Sequence, residues 1–101
     1  AAYQPRTKSN VLDSDGTLIF GNPKSPGCKL TIKLAKENKK PFMIIGWQTG
    51  DPVPAQPILE FQQWIINNKI ETLNVAGNRE SKQPGIFNAV KEFLILGLKD
   101  L

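Results

Sequence analysis

Two short segments of the chain carry residue types that bind phosphate, and each precedes a run with helical spacing. In the first, Ser25 is a typical helix N-cap and Pro26 suits the first helical position. Unpaired N–H groups at a helix start attract anions, which predicts a phosphate site, although an ordinary capped helix with solvated lysines has the same residues. The candidate binding residues here are Asn22, Lys24, Ser25, Gly27, Cys28 and Lys29.

The second segment follows an apolar run and contains an asparagine, a glycine and an arginine close together. Arg79 can hold a phosphate through two parallel hydrogen bonds, and Gly77 lets the backbone approach a ligand. The alternative is a structural turn in which Arg79 pairs with Glu80 or Asp15. The candidate binding residues here are Asn74, Gly77, Asn78, Arg79, Glu80 and Ser81.

Residues suited to catalysis are scarce. The 101 residues include no histidine, so a Ser-His-Asp triad and a His-ligated zinc site are both impossible within this chain. Cys28, the single cysteine, falls in the first turn of a predicted helix, a position that can make a thiol nucleophilic. A small buried side chain is the preferred interpretation, because no histidine or second cysteine can assist it. We therefore expect binding rather than catalysis, with no catalytic residue and no metal site assigned.

Three short apolar runs alternate with helical patterns along the chain, and they predict the strands and helices that position these two segments. Strands are predicted over residues 17–20, 42–45 and 72–75, and helices over residues 26–38 and 55–67, after a helix-permissive stretch at 7–12. A last helix buries Ile86, Val90, Phe93, Leu94 and Leu98. This order predicts one α/β domain, a Rossmann-like three-layer sandwich with a parallel sheet. The two candidate segments should then lie side by side at the carboxyl edge of the sheet.

Charge and composition restrict the partners. The net charge is +4, but Lys29, Lys33, Lys36 and Lys40 recur at helical spacing, as on a solvated helix face. No aromatic residues accompany them for base stacking, so nucleic acid is not the expected partner. No apolar run is long enough to cross a bilayer, so we expect a cytoplasmic protein without membrane contact. A small sheet with two open edges also predicts a homo-oligomer, at least a dimer.

Several motifs resemble the putative molybdenum carrier family over nearly the whole chain. The matching stretches are Asn10 to Ile19, Leu30-Thr31, Lys40-Pro41, Leu73 to Ser81 and Pro84-Gly85-Ile86. The Asn-Val-Ala-Gly and Arg-Glu-Ser elements are the most specific. The resemblance implies a Rossmann-like fold related to the lysine-decarboxylase-like or cytokinin-activating proteins. It also implies a nucleotide or a pterin phosphate, such as the molybdenum cofactor, bound at the strand ends.

The chain departs from this family at two places. Family members begin with a further strand and a Gly-Gly-Gln-Thr-Gly loop that nothing here matches, so we expect the C-terminal part of a longer protein or a shortened relative. Where the family has Thr-Gly-Gly-Thr, this chain has Ser25-Pro26-Gly27-Cys28. The alternative function is a phosphoribohydrolase of the cytokinin-activating type. In those enzymes the motif Pro-Gly-Gly-x-Gly-Thr-x-x-Glu ends in a glutamate, and here Leu34 holds that position.

Overall fold

The alternating pattern folds into four helices and three strands. The computed structural model describes residues 5–78 and 80–99. In chain order the elements are α1 (Pro5–Asp13), β1 (Gly16–Gly21), α2 (Pro26–Glu37), β2 (Phe42–Gly46), α3 (Pro57–Asn67), β3 (Leu73–Gly77) and α4 (Ile86–Leu98). No helix in the described part of the chain is both long enough and apolar enough to cross a membrane.

The three strands form one parallel sheet in the order β2-β1-β3. Every residue of β1 is buried, as expected for a central strand covered on both faces by helices. Thr17 lies opposite Phe42 on one side and opposite Asn74 on the other. The α/β class and the parallel Rossmann-like sheet predicted from the sequence are therefore confirmed.

The larger core lies between the sheet and the helices α3 and α4. Phe20, Phe61 and Phe93 are fully buried there, and the Phe93 ring lies 5.6 Å from Phe20 and 5.2 Å from Phe61 between centroids. On the opposite face α1 and α2 bury a smaller cluster around Val11 and Leu34. Apolar side chains on both faces of the sheet thus produce three layers.

The buried face of α4 differs from the prediction at its C-terminal end. Leu98 was expected in the core but is 44% exposed, whereas Ala89 and Gly97 are buried. Gly97 packs against the ring of Phe61, where an added Cβ would come within 2.7 Å of the ring carbons. Small residues let the helix approach the ring, and a pattern built on large apolar residues does not reveal such a contact.

The edge of the sheet at β3 remains accessible. Among the described residues β3 pairs only with β1, and Val75 and the 81% exposed Phe87 lie beside this edge. A recess of about 140 Å³ lies between β3 and α4, lined largely by apolar side chains that include these two. Open edges and exposed apolar surface favour association, so self-association stays a prediction.

We expect sedimentation velocity at micromolar concentration to show at least a dimer. Phe87→Ser should shift the population toward monomer, because it removes apolar surface beside the open edge. Leu59→Ser is the matched control, since Leu59 is 72% exposed on α3. A wild-type chain that stays monomeric would contradict the prediction.

Candidate functional site

The strand order reverses at β1, the central strand of this parallel sheet. From β1 the chain runs to β2 on one side, and β3 then returns to the other side of β1. The helices that follow β1 and β3 consequently pack on opposite faces, α2 with the smaller core and α4 with the larger one. In open parallel sheets the crevice at such a point, beyond the carboxyl ends of the strands, is where ligands bind.

The two candidate segments meet at this point, as predicted. The backbone N–H of Asn22 donates to the Asn78 side-chain oxygen at 2.6 Å. The Asn22 side-chain oxygen in turn accepts from the Lys24 N–H at 3.0 Å, which fixes the turn after β1. Gly21 has a φ of +128°, and a Cβ there would collide with the Asn78 oxygen. The approach of the two loops therefore requires glycine at the end of β1.

A polar crevice of about 290 Å³ opens between α1, the start of α2 and β3. Asn74 lines it and donates to the Thr17 hydroxyl at 3.2 Å, the hydrogen bond that a polar residue in a buried strand needs. The crevice combines backbone, amide and hydroxyl groups, which suits an anion held by hydrogen bonds. Its lining residues are Thr7, Asn10, Gly27, Thr31, Asn74, Val75, Ala76 and Gly77.

Sequence reasoning identified Gly27, Asn74 and Gly77 but missed the contribution of α1 and of Thr31. Thr7 and Asn10 come from the stretch that the sequence predicts only as helix-permissive. The sequence signal for these two residues is their spacing, since polar residues at i and i+3 lie on one face of a helix. Nothing in the local sequence indicates that this face turns toward the crevice.

The start of α2 has the predicted cap. The Ser25 hydroxyl accepts from the Cys28 N–H at 3.4 Å, and the Ser25 carbonyl accepts from the Lys29 N–H at 2.9 Å. Gly27 is exposed, with open space where a Cβ would point. Cys28 is only 1% exposed and does not line the crevice, so it is placed as a small buried side chain. The two lysines of this loop are exposed.

The start of α4 is different, because a carboxylate of the chain already occupies it. Glu80 accepts from the Gly85 N–H at 2.6 Å and from the Phe87 N–H at 3.0 Å. These two hydrogen bonds lower the pKa of the Glu80 carboxyl below its ordinary value. The sequence predicted an anion at this helix start, and the anion found there is Glu80 itself. Ser81 is exposed beside it.

Glu80→Gln is expected to lower the melting temperature at pH 7, because a neutral amide is a weaker partner for the helix N-terminus. A carboxyl whose pKa is lowered by folding stabilises the protein above the ordinary glutamate pKa, and that contribution is lost as the pH falls through the lowered value. Thermal melts of the two proteins should therefore converge as the pH falls below the lowered pKa of the Glu80 carboxyl. A difference that persists unchanged at acid pH would contradict this role.

Arg79 lies outside the described residues. Of its two alternative ion-pair partners, Glu80 caps α4, and Asp15 accepts from the N–H groups of Glu71 and Thr72 at 2.9 and 2.8 Å. Those two bonds are the main cause of the lowered pKa of the Asp15 carboxyl. Both carboxylates thus have backbone partners, and the proposed role of Arg79 in ligand binding stays a prediction.

No group of three His, Cys, Asp or Glu side chains suited to a metal ion occurs within residues 5–78 and 80–99.

A three-stranded parallel sheet with helices on both faces and a crevice where the strand order reverses defines a Rossmann-like class of α/β domain. The chain belongs to the circularly permutated YpsA SLOG family, whose model matches residues 1–97. It is similar to the crystal structure of a putative molybdenum carrier protein from Syntrophus aciditrophicus SB, with 35% sequence identity and a TM-score of 0.79. That match covers 96% of this chain and 61% of the other. No functionally curated protein matches the chain.

Proposed function

We propose that this domain binds a phosphate-bearing small molecule, a nucleotide or a phosphorylated cofactor, in the crevice between α2 and β3. The observation that carries the proposal is the position of the crevice at the reversal of strand order, with the start of α2 opening onto it through Gly27. The Gly27 N–H at the start of α2, the Thr7 hydroxyl and the side-chain NH₂ groups of Asn10 and Asn74 can donate hydrogen bonds to an oxyanion in this crevice. The volume of about 290 Å³ suits a phosphate with an attached sugar.

The molybdenum carrier description of the solved relative raises the question of what this site could hold. The crevice offers Thr7, Asn10, Thr31 and Asn74, which are neutral hydrogen-bonding side chains. These groups fit the phosphate of a pterin cofactor or another oxyanion, and they are poor direct ligands for a soft metal. The single thiol of the chain, Cys28, is buried. The residues therefore fit a phosphorylated cofactor recognised through its phosphate.

The phosphoribohydrolase alternative has less support. Leu34, at the position where those enzymes carry glutamate, is buried against Val11 and Ala35 in the smaller core. A carboxylate introduced into that cluster would be buried without a partner. Neither the family match nor the solved relative is described as a hydrolase. Binding without bond cleavage is therefore the function that we propose.

Calorimetric titration with ribose 5-phosphate tests the proposal. Gly27→Val should weaken binding at least tenfold, because Gly27 lines the crevice and a valine side chain would take up open space at its wall. Gly46→Val is the matched control, since both glycines have open space at the Cβ position. Both variants should keep the wild-type melting temperature to within a few degrees.

Failure of the wild-type protein to bind ribose 5-phosphate, inorganic phosphate and nucleoside monophosphates alike would overturn the proposed function. Equal weakening by the two glycine variants would place the phosphate elsewhere.

A further inference from the structure

The open edge of β3 differs from the other edge of the sheet, because it lacks the features that keep edge strands from pairing. Edge strands are commonly protected by charged side chains, prolines or bulges. The β2 edge has such protection, since Lys40 and Pro41 directly precede the strand and the Lys36 ammonium lies 5.9 Å from the centre of the Phe42 ring. Within Leu73–Gly77, β3 has no charge, no proline and an uninterrupted register with β1. A further strand can therefore be added at the β3 edge.

The surface around this edge is apolar and uncharged. None of the residues that line the recess of about 140 Å³ between β3 and α4 carries a formal charge. Val75 is 38% exposed at the middle of β3, and Phe87 is 81% exposed on α4. A charged segment would find no counter-charge in this recess, and burying its charge there would be costly. The occupant that fits is an uncharged strand with apolar side chains, and β3 of a second copy supplies one.

The two faces of β3 have different character, which determines how a second copy fits. Asn74 donates to Thr17 on the side of the polar crevice. Leu73, on the other face, packs against the larger core, and Val75 borders the apolar recess. Two copies that share one edge through a two-fold axis have antiparallel strands, and residues directly opposite each other lie on the same face. Apolar side chains therefore meet apolar side chains on the α4 side of the sheet.

We propose that the β3 edge binds the β3 edge of a second copy, in a two-fold dimer whose sheet runs continuously through both copies. Val75 is the central residue of the five in β3, so it lies opposite Val75 of the second copy. In the same register Leu73 lies opposite Gly77 and Asn74 opposite Ala76, so that each larger side chain faces a smaller one. A contact of this kind uses the same surface on both copies, and the assembly therefore ends at the dimer.

Charge substitutions at Val75 test this arrangement in sedimentation velocity of the full chain. Val75→Lys and Val75→Asp should each weaken the dimer at least about tenfold, because like charges then lie directly opposite each other across the axis. An equimolar mixture of the two variants should recover the dimer, because opposite charges then face each other. Ile44→Lys is the matched control and should leave the dimer intact, since Ile44 is 42% exposed at the middle of β2, the other edge strand.

A monomeric wild-type chain would overturn the proposal, as would an assembly larger than a dimer. Folded Val75 variants that remain dimeric would exclude the β3 edge, and dissociation by Ile44→Lys would place the interface at β2. A mixture that stays monomeric would exclude the two-fold pairing at Val75. Circular dichroism shows whether the variants are folded. If they are not, Phe87→Ser gives the test from outside the strand, and an unchanged dimer in that variant would overturn the proposal.

Discussion

Arg79→Ala is expected to weaken the binding of ribose 5-phosphate by about 1.5–3 kcal/mol, the usual contribution of a hydrogen bond to a charged group. Arg79 is the only arginine in the two candidate segments, and a guanidinium can donate two parallel hydrogen bonds to one phosphate, whereas Lys24 and Lys29 act as point charges. Calorimetry measures the affinity. Arg6→Ala is the matched control, because it removes the same charge from an exposed position on α1.

Thermal melts of the same proteins separate binding from a structural role. If Arg79 binds the ligand, its removal should leave the melting temperature nearly unchanged, since a surface ion pair contributes about 0–1 kcal/mol. If Arg79 instead holds the turn through Glu80 or Asp15, the melting temperature should fall and the affinity should stay the same. This second result would remove Arg79 from the site.

Phe93→Ala is expected to destabilise the fold by about 3–5 kcal/mol, the cost of truncating a fully buried aromatic side chain. Phe93 is the residue of α4 that contacts both Phe20 of the central strand and Phe61 of α3. Its loss would leave a cavity where α3, α4 and the sheet meet. A loss of this size should lower the melting temperature by more than about 10 °C in a domain of this length.

The control for this variant is Leu59→Ala, which truncates an apolar side chain on the exposed face of α3. Urea unfolding of both proteins gives the free energies of unfolding. We expect Leu59→Ala to change this free energy by less than about 0.5 kcal/mol. Similar losses in the two variants would mean that the larger core is not centred on Phe93.

Much of the fold could be predicted from the sequence because buried parallel strands have a simple signature. The run Thr17 to Phe20 is apolar and bounded by glycines, and every residue of β1 is buried. The ends of elements were less certain, since α3 begins at Pro57 instead of residue 55 and β3 continues to Gly77. Those ends depend on packing and backbone hydrogen bonds that the local sequence does not specify.

The candidate site was predictable in its location but not in its details. Parallel strands place their exits on one edge, so the meeting of the loops at Asn22 and Asn78 followed from topology. The cap of α4 by Glu80 could not be predicted from topology. Its hydrogen bonds join residues five and seven positions apart through an irregular turn. The contributions of Thr7 and Asn10 depend on how α1 packs on α2, a tertiary contact without a sequence signature.

The strand order has a consequence for the route by which the chain folds. β1 and β2, which pair at Thr17 and Phe42, are separated along the sequence by a single helix. The pairing of β1 with β3, at Gly16 and Leu73, requires most of the chain to be in place. Closing the longer loop costs more entropy before any contact compensates for it. We therefore expect the β1-α2-β2 unit to form first, and amides of β3 and α4 to acquire protection from hydrogen exchange later during refolding. The crevice, which needs both α2 and β3, would then be among the last features of the molecule to assemble.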